Sequence, residues 1–380
     1  MRIILTGGFT GGHFYPLIAV ADAIYQQARE EKLITDPELY YLAPDPYRQN
    51  LLDDYAISYR SIQAGKLRRG FSVWNILDLF KTGWGVLQAI WKVFAIYPDV
   101  IFAKGGYVSF PVLVAARLLR IPVFIHESDS VPGRVNRWAG KFAAQVAVSF
   151  PQTADYFPED KVALTGNPIR ESIANPATSG AREYLEMEPD TPVIFIIGGS
   201  QGAEIINSVV LEALPELLES YYVIHQVGEA NLNNVKETTD FFFSELPRNK
   251  QALKARYKPF GFLDETALRM AAGAADIVIS RAGSTIFEIA AWSVPSILIP
   301  LEIAHADHQR KNAYAYAQAG AATVIDEANV GDDILLSELR EIMDNPEKYE
   351  KMATAAARFA RLDAAKIIAE EIIHLGRAHN

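Results

Sequence analysis

Short runs of branched apolar residues alternate along the chain with longer amphipathic stretches, and glycine clusters stand where one gives way to the other. Arg2-Ile-Ile-Leu-Thr6 is such a run. Gly7-Gly8-Phe9-Thr10-Gly11-Gly12-His13 follows it, and then comes an apolar helical stretch over residues 16–28. The pattern reads as strand, glycine-rich turn, helix. It returns midway, with a run over 193–197, then Gly198-Gly199-Ser200-Gln201-Gly202, then a helical stretch over 205–218. Further strand-like runs at 100–103 and 123–125, and at 277–280 and 296–300, alternate with helical stretches in each half. This alternation predicts an α/β fold of two Rossmann-like, doubly wound domains, with ligands at the carboxyl ends of parallel strands.

At 380 residues the chain exceeds the size at which one core keeps growing, which also points to two domains. A strand-like run over 162–165 stops at Gly166-Asn167-Pro168, so the boundary is expected there. The expected division is 1–166, 167–360, and a helical stretch over 361–380 that returns to the first domain. Residues 231–254 are polar enough to be expected as a mobile surface segment.

Composition narrows the function classes. Half the residues are hydrophobic and 22% are charged, a balance that buries a core. The net charge of -10 argues against a nucleic-acid partner, because phosphate neutralisation needs a basic face. With no cysteine there is no disulfide, thiolate metal site or cysteine nucleophile. No secretory signal is visible in the opening residues. Apolar stretches break at a charge or proline well before about 18 residues, so no membrane span is expected.

The glycine clusters are the first candidate sites. Glycines after a strand let the backbone approach a ligand, and the following helix start presents free N–H groups and positive dipole to a phosphate. Neither cluster is the dinucleotide pattern G-x-G-x-x-G or carries the lysine of G-x-x-x-x-G-K-[ST]. A tight turn is the plain alternative for either one, but two at matching positions favour two ligand sites. A third loop, Arg281-Ala282-Gly283-Ser284-Thr285, runs into a helical stretch holding Glu288. That carboxylate either complements the helix dipole or accepts both hydroxyls of a ribose.

In order along the chain, several segments resemble the MurG family of N-acetylglucosaminyl transferases. They are Gly7 to His13 with Pro16, Gly105-Gly106-Tyr107-Val108-Ser109, and His126-Glu127 with Pro132-Gly133. Thr165-Gly166-Asn167-Pro168-Ile169-Arg170, Gly198-Gly199-Ser200-Gln201-Gly202-Ala203, Arg281-Ala282-Gly283 with Glu288, and Asp307-His308-Gln309 with Asn312 continue the series. The resemblance implies a GT-B architecture, two domains facing a cleft, and inverting transfer of N-acetylglucosamine from UDP-N-acetylglucosamine to lipid I, forming lipid II in peptidoglycan synthesis. It implies donor contacts at Arg170, Ser200, Gln201, Leu263, Arg281, Ser284, Glu288 and Gln309. Ser200 would meet the diphosphate, Leu263 the uracil by its backbone, Glu288 the ribose and Gln309 the sugar. Thr10, Gly11 and Gly12 fall at the family's ligand-binding positions on the opposite wall of the cleft, and Tyr107 at a substrate-binding position. The chain departs from the family at Phe9 and Phe110, which replace glycines, at Asp129, which replaces an amide, and in a shortened loop between Arg281 and Glu288.

Transfer to a hydroxyl needs a base, and His13 is the candidate, since histidine accepts a proton near neutrality. Glu127 and Asp129 are expected to orient it or contact the acceptor, and Asp129 is a competing base. No D-x-D pair is present and His305, Asp307 and His308 lack a zinc-hydrolase pattern, so no metal or cofactor is expected. Lys66-Leu-Arg68-Arg69 precedes an aromatic-rich stretch running to Phe94, which suits a peripheral contact with a membrane surface, expected on its cytoplasmic face. A diacylglycerol glycosyltransferase, a UDP-N-acetylglucosamine 2-epimerase and a non-catalytic sugar-nucleotide scaffold are the alternatives. Turnover with lipid I separates them.

Overall fold

The computed structural model describes residues 1–380 apart from 9, 33–34, 66–72, 200–201, 248–249, 303–306 and 380, and the side chains of 73–76. The chain divides into two compact units, Met1–Arg170 with Arg361–Asn380, and Glu171–Ala360.

The first unit holds seven parallel strands: β1 (Arg2–Thr6), β2 (Glu38–Ala43), β3 (Ile57–Ser61), β4 (Val100–Ala103), β5 (Val123–Glu127), β6 (Gln145–Val148) and β7 (Val162–Leu164). Their order is β3-β2-β1-β4-β5-β6-β7, with Ile4 in register with Tyr40 on one side and Ile101 on the other. Period-2 side-chain direction sorts their apolar residues onto two faces. Ile3, Leu5, Val100, Phe102 and Phe124 join one core cluster, while Ile4, Ile101, Ala103, Val123 and Ile125 join another. Strands buried on both faces need unbroken apolar runs, which is why these runs do not alternate with polar residues.

The helix after β1 spans Gly11–Glu30, so residues expected as a turn form its first turn, and Pro16 lies inside it. Burial of Phe14, Leu17, Ile18, Val20 and Ile24 overrides the poor helix propensity of two glycines. Thr10, extended at φ -135°, is the cap residue, and its carbonyl accepts from the N–H groups of His13 and Phe14 at 3.1 Å. The helix Ala364–His379 packs on this one, placing Ile368, Ala369 and Ile372 in the same cluster as Ile3 and Leu5.

On the opposite face, the helix Val73–Ile96 is apolar on two sides. Ala89 and Val93 turn inward, and Gly85 lies so close to the Gln63 carbonyl that a Cβ would overlap it. Leu77, Phe80, Trp84, Leu87, Trp91 and Phe94 turn outward and are 49% to 74% exposed. Their spacing of three and four residues makes one continuous stripe.

The second unit repeats the plan with β8 (Val193–Ile197), β9 (Tyr222–Gln226), β10 (Tyr257–Phe260), β11 (Ile277–Ser280), β12 (Ser296–Leu298) and β13 (Ala322–Val324), all parallel in the order β10-β9-β8-β11-β12-β13. Part of the segment expected to be mobile is instead the helix Leu232–Glu245, which buries Val235, Thr239 and Phe243 at intervals of four. A stripe one residue wide is enough to dock a helix while its mean hydropathy stays near zero, so composition alone misread it. Among the described residues, no helix is long and apolar enough to cross a membrane.

Candidate active site

In each sheet the strand order reverses beside the first strand, between β1 and β4 and between β8 and β11. Connections there leave toward opposite faces and open a crevice at the strands' carboxyl ends. The glycine clusters occupy both positions.

In the first unit, Gly7 has φ +129°, and a Cβ on it would stand 2.8 Å from the Cβ of Lys104, so only glycine lets the loop lie against the end of β4. Lys104 is 1% exposed. Its Nζ stands 2.6 Å from His126 Nδ1 and donates to Asn167 Oδ1 at 2.8 Å. His126 Nε2 lies 2.9 Å from the Gly166 carbonyl, so the ring donates there and presents Nδ1 as acceptor to the amine. Burial holds the His126 pKa well below its usual value, helped by the Lys104 charge.

Glu127 follows at the end of β5. It accepts from the N–H of Asp129 at 3.1 Å, the N–H of Gly133 at 2.9 Å and Asn136 Nδ2 at 2.9 Å. Burial, then the Asp129 carboxylate, pushes the Glu127 carboxyl up to about 7 against these hydrogen bonds. Burial lowers the Lys104 amine to about 7, opposed by Glu127 and Asp129. The end of this sheet therefore holds an amine and an acid that both change charge near neutrality.

His13, half-buried in the first turn of its helix, has Nδ1 3.1 Å from Thr10 Oγ1. It lies close enough to His126 to disfavour charge there. Gly11 and Gly12 belong to the same turn, and Tyr107 lies half-buried in the first turn of the helix Gly106–Leu119. The Arg170 guanidinium sits 4.5 Å from the ring centre of Tyr15, beside this helix start. Phe110 turns away from the crevice to pack on Trp138, ring centres 5.2 Å apart, so its replacement of a glycine is absorbed between helices. Lys104, Asn136 and the tertiary role of His126 escaped sequence reasoning, although a lysine at a strand end directly before Gly105-Gly106 was a visible signal.

In the second unit, Ser200, Gln201 and His305 lie outside the described residues. Gly202 has φ +77°, and a Cβ there would overlap the Val227 carbonyl. Glu288 is half-buried in the first turn of the helix Thr285–Trp292, with Ser284 at its cap position. Arg281 is turned to structural use: its guanidinium pairs with Glu327 at 2.6 Å and donates to the Ile299 carbonyl at 3.0 Å. Gln309 Oε1 accepts from the Leu301 N–H at 3.1 Å. The Leu263 N–H, buried, donates to Gln226 Oε1. Behind these loops His225, pushed down to about 3 by burial, lies 3.0 Å from both Tyr257 Oη and Asn207 Oδ1.

A separate hollow of about 430 Å³ is lined by Arg134, Arg137, Trp138, Lys141, Tyr156 and Phe157 among others, and by none of the residues expected to form the site.

Two family models match the chain. The glycosyltransferase family 28 N-terminal domain matches residues 3–148, and its C-terminal domain matches residues 193–368. A Treponema denticola protein named UDP-N-acetylglucosamine--N-acetylmuramyl-(pentapeptide) pyrophosphoryl-undecaprenol N-acetylglucosamine transferase is 32% identical, over 97% of this chain and 96% of its own. A Bacillus cereus protein of that name, numbered 2, is 35% identical over 98% and 99%. The crystal structure of Acinetobacter baumannii MurG superposes with a TM-score of 0.72 at 28% identity, covering 98% of this chain and 99% of that one. A Neisseria meningitidis UDP-GlcNAc 2-epimerase, at 15% identity, TM-score 0.67 and coverage of 98% and 100%, shares the fold alone. The fold and sites define a glycosyltransferase of the GT-B class. Within that class, the chain belongs to the MurG family.

Proposed function

We infer that this chain is an inverting transferase that moves N-acetylglucosamine from UDP-N-acetylglucosamine to lipid I, forming lipid II. One observation carries the inference: near-full-length relatives bear that activity in their name, and this chain keeps glycine loops at the switch points of both sheets. In the reaction the acceptor hydroxyl oxygen bonds the anomeric carbon, the bond from that carbon to the diphosphate breaks, and UDP departs. His13 takes the hydroxyl proton. Glu127, carrying hydrogen bonds from Gly133, Asn136 and the Asp129 backbone, sets the position of Asp129 beside the reacting groups. Thr10 orients His13, and Gly11, Gly12 and Tyr107 face the acceptor.

For the donor, Ser200 and Gln201 meet the diphosphate with Arg170 offsetting its charge. Leu263 reads the uracil by its backbone, Glu288 binds the ribose, Ser284 opens its helix toward the phosphates and Gln309 reaches the sugar. Arg281, engaged by Glu327, shapes its loop. No metal is assigned.

The chain attaches peripherally to the cytoplasmic face of the membrane through the outward stripe of the helix Val73–Ile96. Six large apolar side chains in one line suit an interface of headgroups and acyl chains. Replacing Leu77, Trp84 and Trp91 with serine should release the protein from liposomes, and unchanged association would refute the attachment.

The decisive experiment is transfer of radiolabelled N-acetylglucosamine to purified lipid I. Product with the properties of lipid II supports the reading, whereas UDP binding without turnover would mark a sugar-nucleotide scaffold.

A further inference from the structure

Gln226 ends β9, the strand between β8 and β10, in register with Ile197 on one side and Phe260 on the other. The diphosphate loop leaves β8 just beyond Ile197, and the segment carrying Leu263 leaves β10 just beyond Phe260. These exits lie two strand spacings apart, roughly 10 Å. A side chain at the end of the middle strand is therefore the one element able to touch both.

Gln226 does so while only 3% exposed. Its Nε2 donates to the Gly199 carbonyl at 2.9 Å, and its Oε1 accepts from the Leu263 N–H at 3.1 Å. An amide is the neutral side chain that offers a donor and an acceptor at one terminus. A carboxylate would repel the carbonyl, and an apolar side chain would leave the buried Leu263 N–H without this partner and the half-buried Gly199 carbonyl with the Gly202 N–H alone.

We propose that Gln226 is a positioning residue that ties the base-reading backbone at Leu263 to the diphosphate loop at Gly199, holding the two ends of a nucleoside diphosphate site at a fixed separation. The inference rests on the donor reading above and adds a residue to it. Gly199 has φ +93°, a conformation the loop reaches without strain but is not forced into by its own residue type. The restraint comes from the Gly202 N–H within the loop and from the Gln226 amide on the neighbouring strand. Fixing both loops before the ligand arrives removes an ordering cost from binding, so the amide acts on affinity and leaves the chemical step alone.

The test uses the full chain and UDP as probe, with Gln226→Met and Gln226→Glu. Two lost hydrogen bonds should raise the UDP Kd and the donor KM about 10-fold or more in Gln226→Met, with kcat within about twofold. Gln226→Glu, which keeps the shape and the acceptor for Leu263 but sets a carboxylate against the Gly199 carbonyl, should raise both at least as much, and it serves if the methionine variant does not fold. Unchanged UDP affinity in a folded variant overturns the proposal while sparing the donor reading. A fall in kcat with donor KM unchanged overturns it too, because that pattern marks general loosening. If the unaltered protein binds no UDP, the donor reading fails and takes this proposal with it.

Discussion

The two sheets end in crevices of the same topology but opposite chemistry. Beside β1 and β4, the buried groups are a lysine and a glutamate with pKa values moved to about 7, with His126 against the lysine and His13 close to His126. In the second unit, the buried groups behind the loops are two amides, Gln226 and Asn207, and a histidine held neutral by a pKa of about 3. One fold thus supports a crevice whose charge responds to protons and another whose polarity is fixed. On the function proposed above, the fixed crevice suits recognition of a nucleotide and the proton-responsive one suits transfer to a hydroxyl.

The sharpest way to break this contrast is to remove the base. His13→Ala should lower the transfer rate by about 10² to 10⁴ with UDP affinity nearly unchanged, as measured by steady-state kinetics and calorimetry. Asp129→Asn should keep or raise activity. If Asp129→Asn abolishes transfer and His13→Ala is mild, the carboxylate is the base and the assignment fails.

Next in size is the fixed crevice. Glu288→Ala should weaken UDP binding by about 1 to 3 kcal/mol if its carboxylate accepts ribose hydrogen bonds. Calorimetry showing full affinity would remove Glu288 from the site.

A titration of stability separates the crevices directly. With its folded pKa near 7 and an unfolded value of about 10.4, Lys104 leaves the unfolded chain holding more protons between those limits, so stability should rise with pH there. Glu127 is raised from about 4.3 to about 7, so the folded chain holds the extra proton and stability should fall as pH climbs through that window. Each contribution has a slope of at most about 1.4 kcal/mol per pH unit per proton, and below about pH 6.5 the rise from the lowered His225 and His126 opposes the fall from Glu127, so each group is read as a difference between variant and parent. Denaturant unfolding across pH 5 to 10 reads the curve. Relative to the parent, Lys104→Met should lose the rise above pH 7 and Glu127→Gln the fall below it. His225, lowered to about 3, contributes a rise between about 3 and 6.5 and nothing above.

The smallest effect concerns orientation of the base. Thr10→Ala removes an exposed hydrogen bond to His13 Nδ1 and should cost about 0.5 to 1 kcal/mol of transition-state stabilisation. A loss as large as that of His13→Ala would give Thr10 a direct part in the chemistry.

Much of this was legible in the sequence. The runs 193–197 and 277–280 declare strands because a strand covered on both faces tolerates only apolar residues, and the glycine clusters declare crevices because their backbone conformations exclude side chains. The pairings were not legible. Lys104 and Asn167 stand far apart in the chain and meet because the segment after β7 also carries the Gly166 carbonyl to His126 on β5, and Gln226 reads as any polar residue after His225 until β8 and β10 flank it. The first turn of the helix Gly11–Glu30 was hidden for a related reason: local propensity argues against it, and only packing of Phe14 and Leu17 supplies what the glycines withhold.

The return of Ala364–His379 to the first unit has a consequence for synthesis. Ile368, Ala369 and Ile372 fill the core around Ile3 and Leu5, so that core stays open while the intervening residues emerge from the ribosome. The second unit is continuous from Glu171 to Ala360 and can close as soon as it clears the exit. The unit made first is therefore the unit completed last, and through most of translation the surface awaiting that helix is exposed to whatever guards nascent chains.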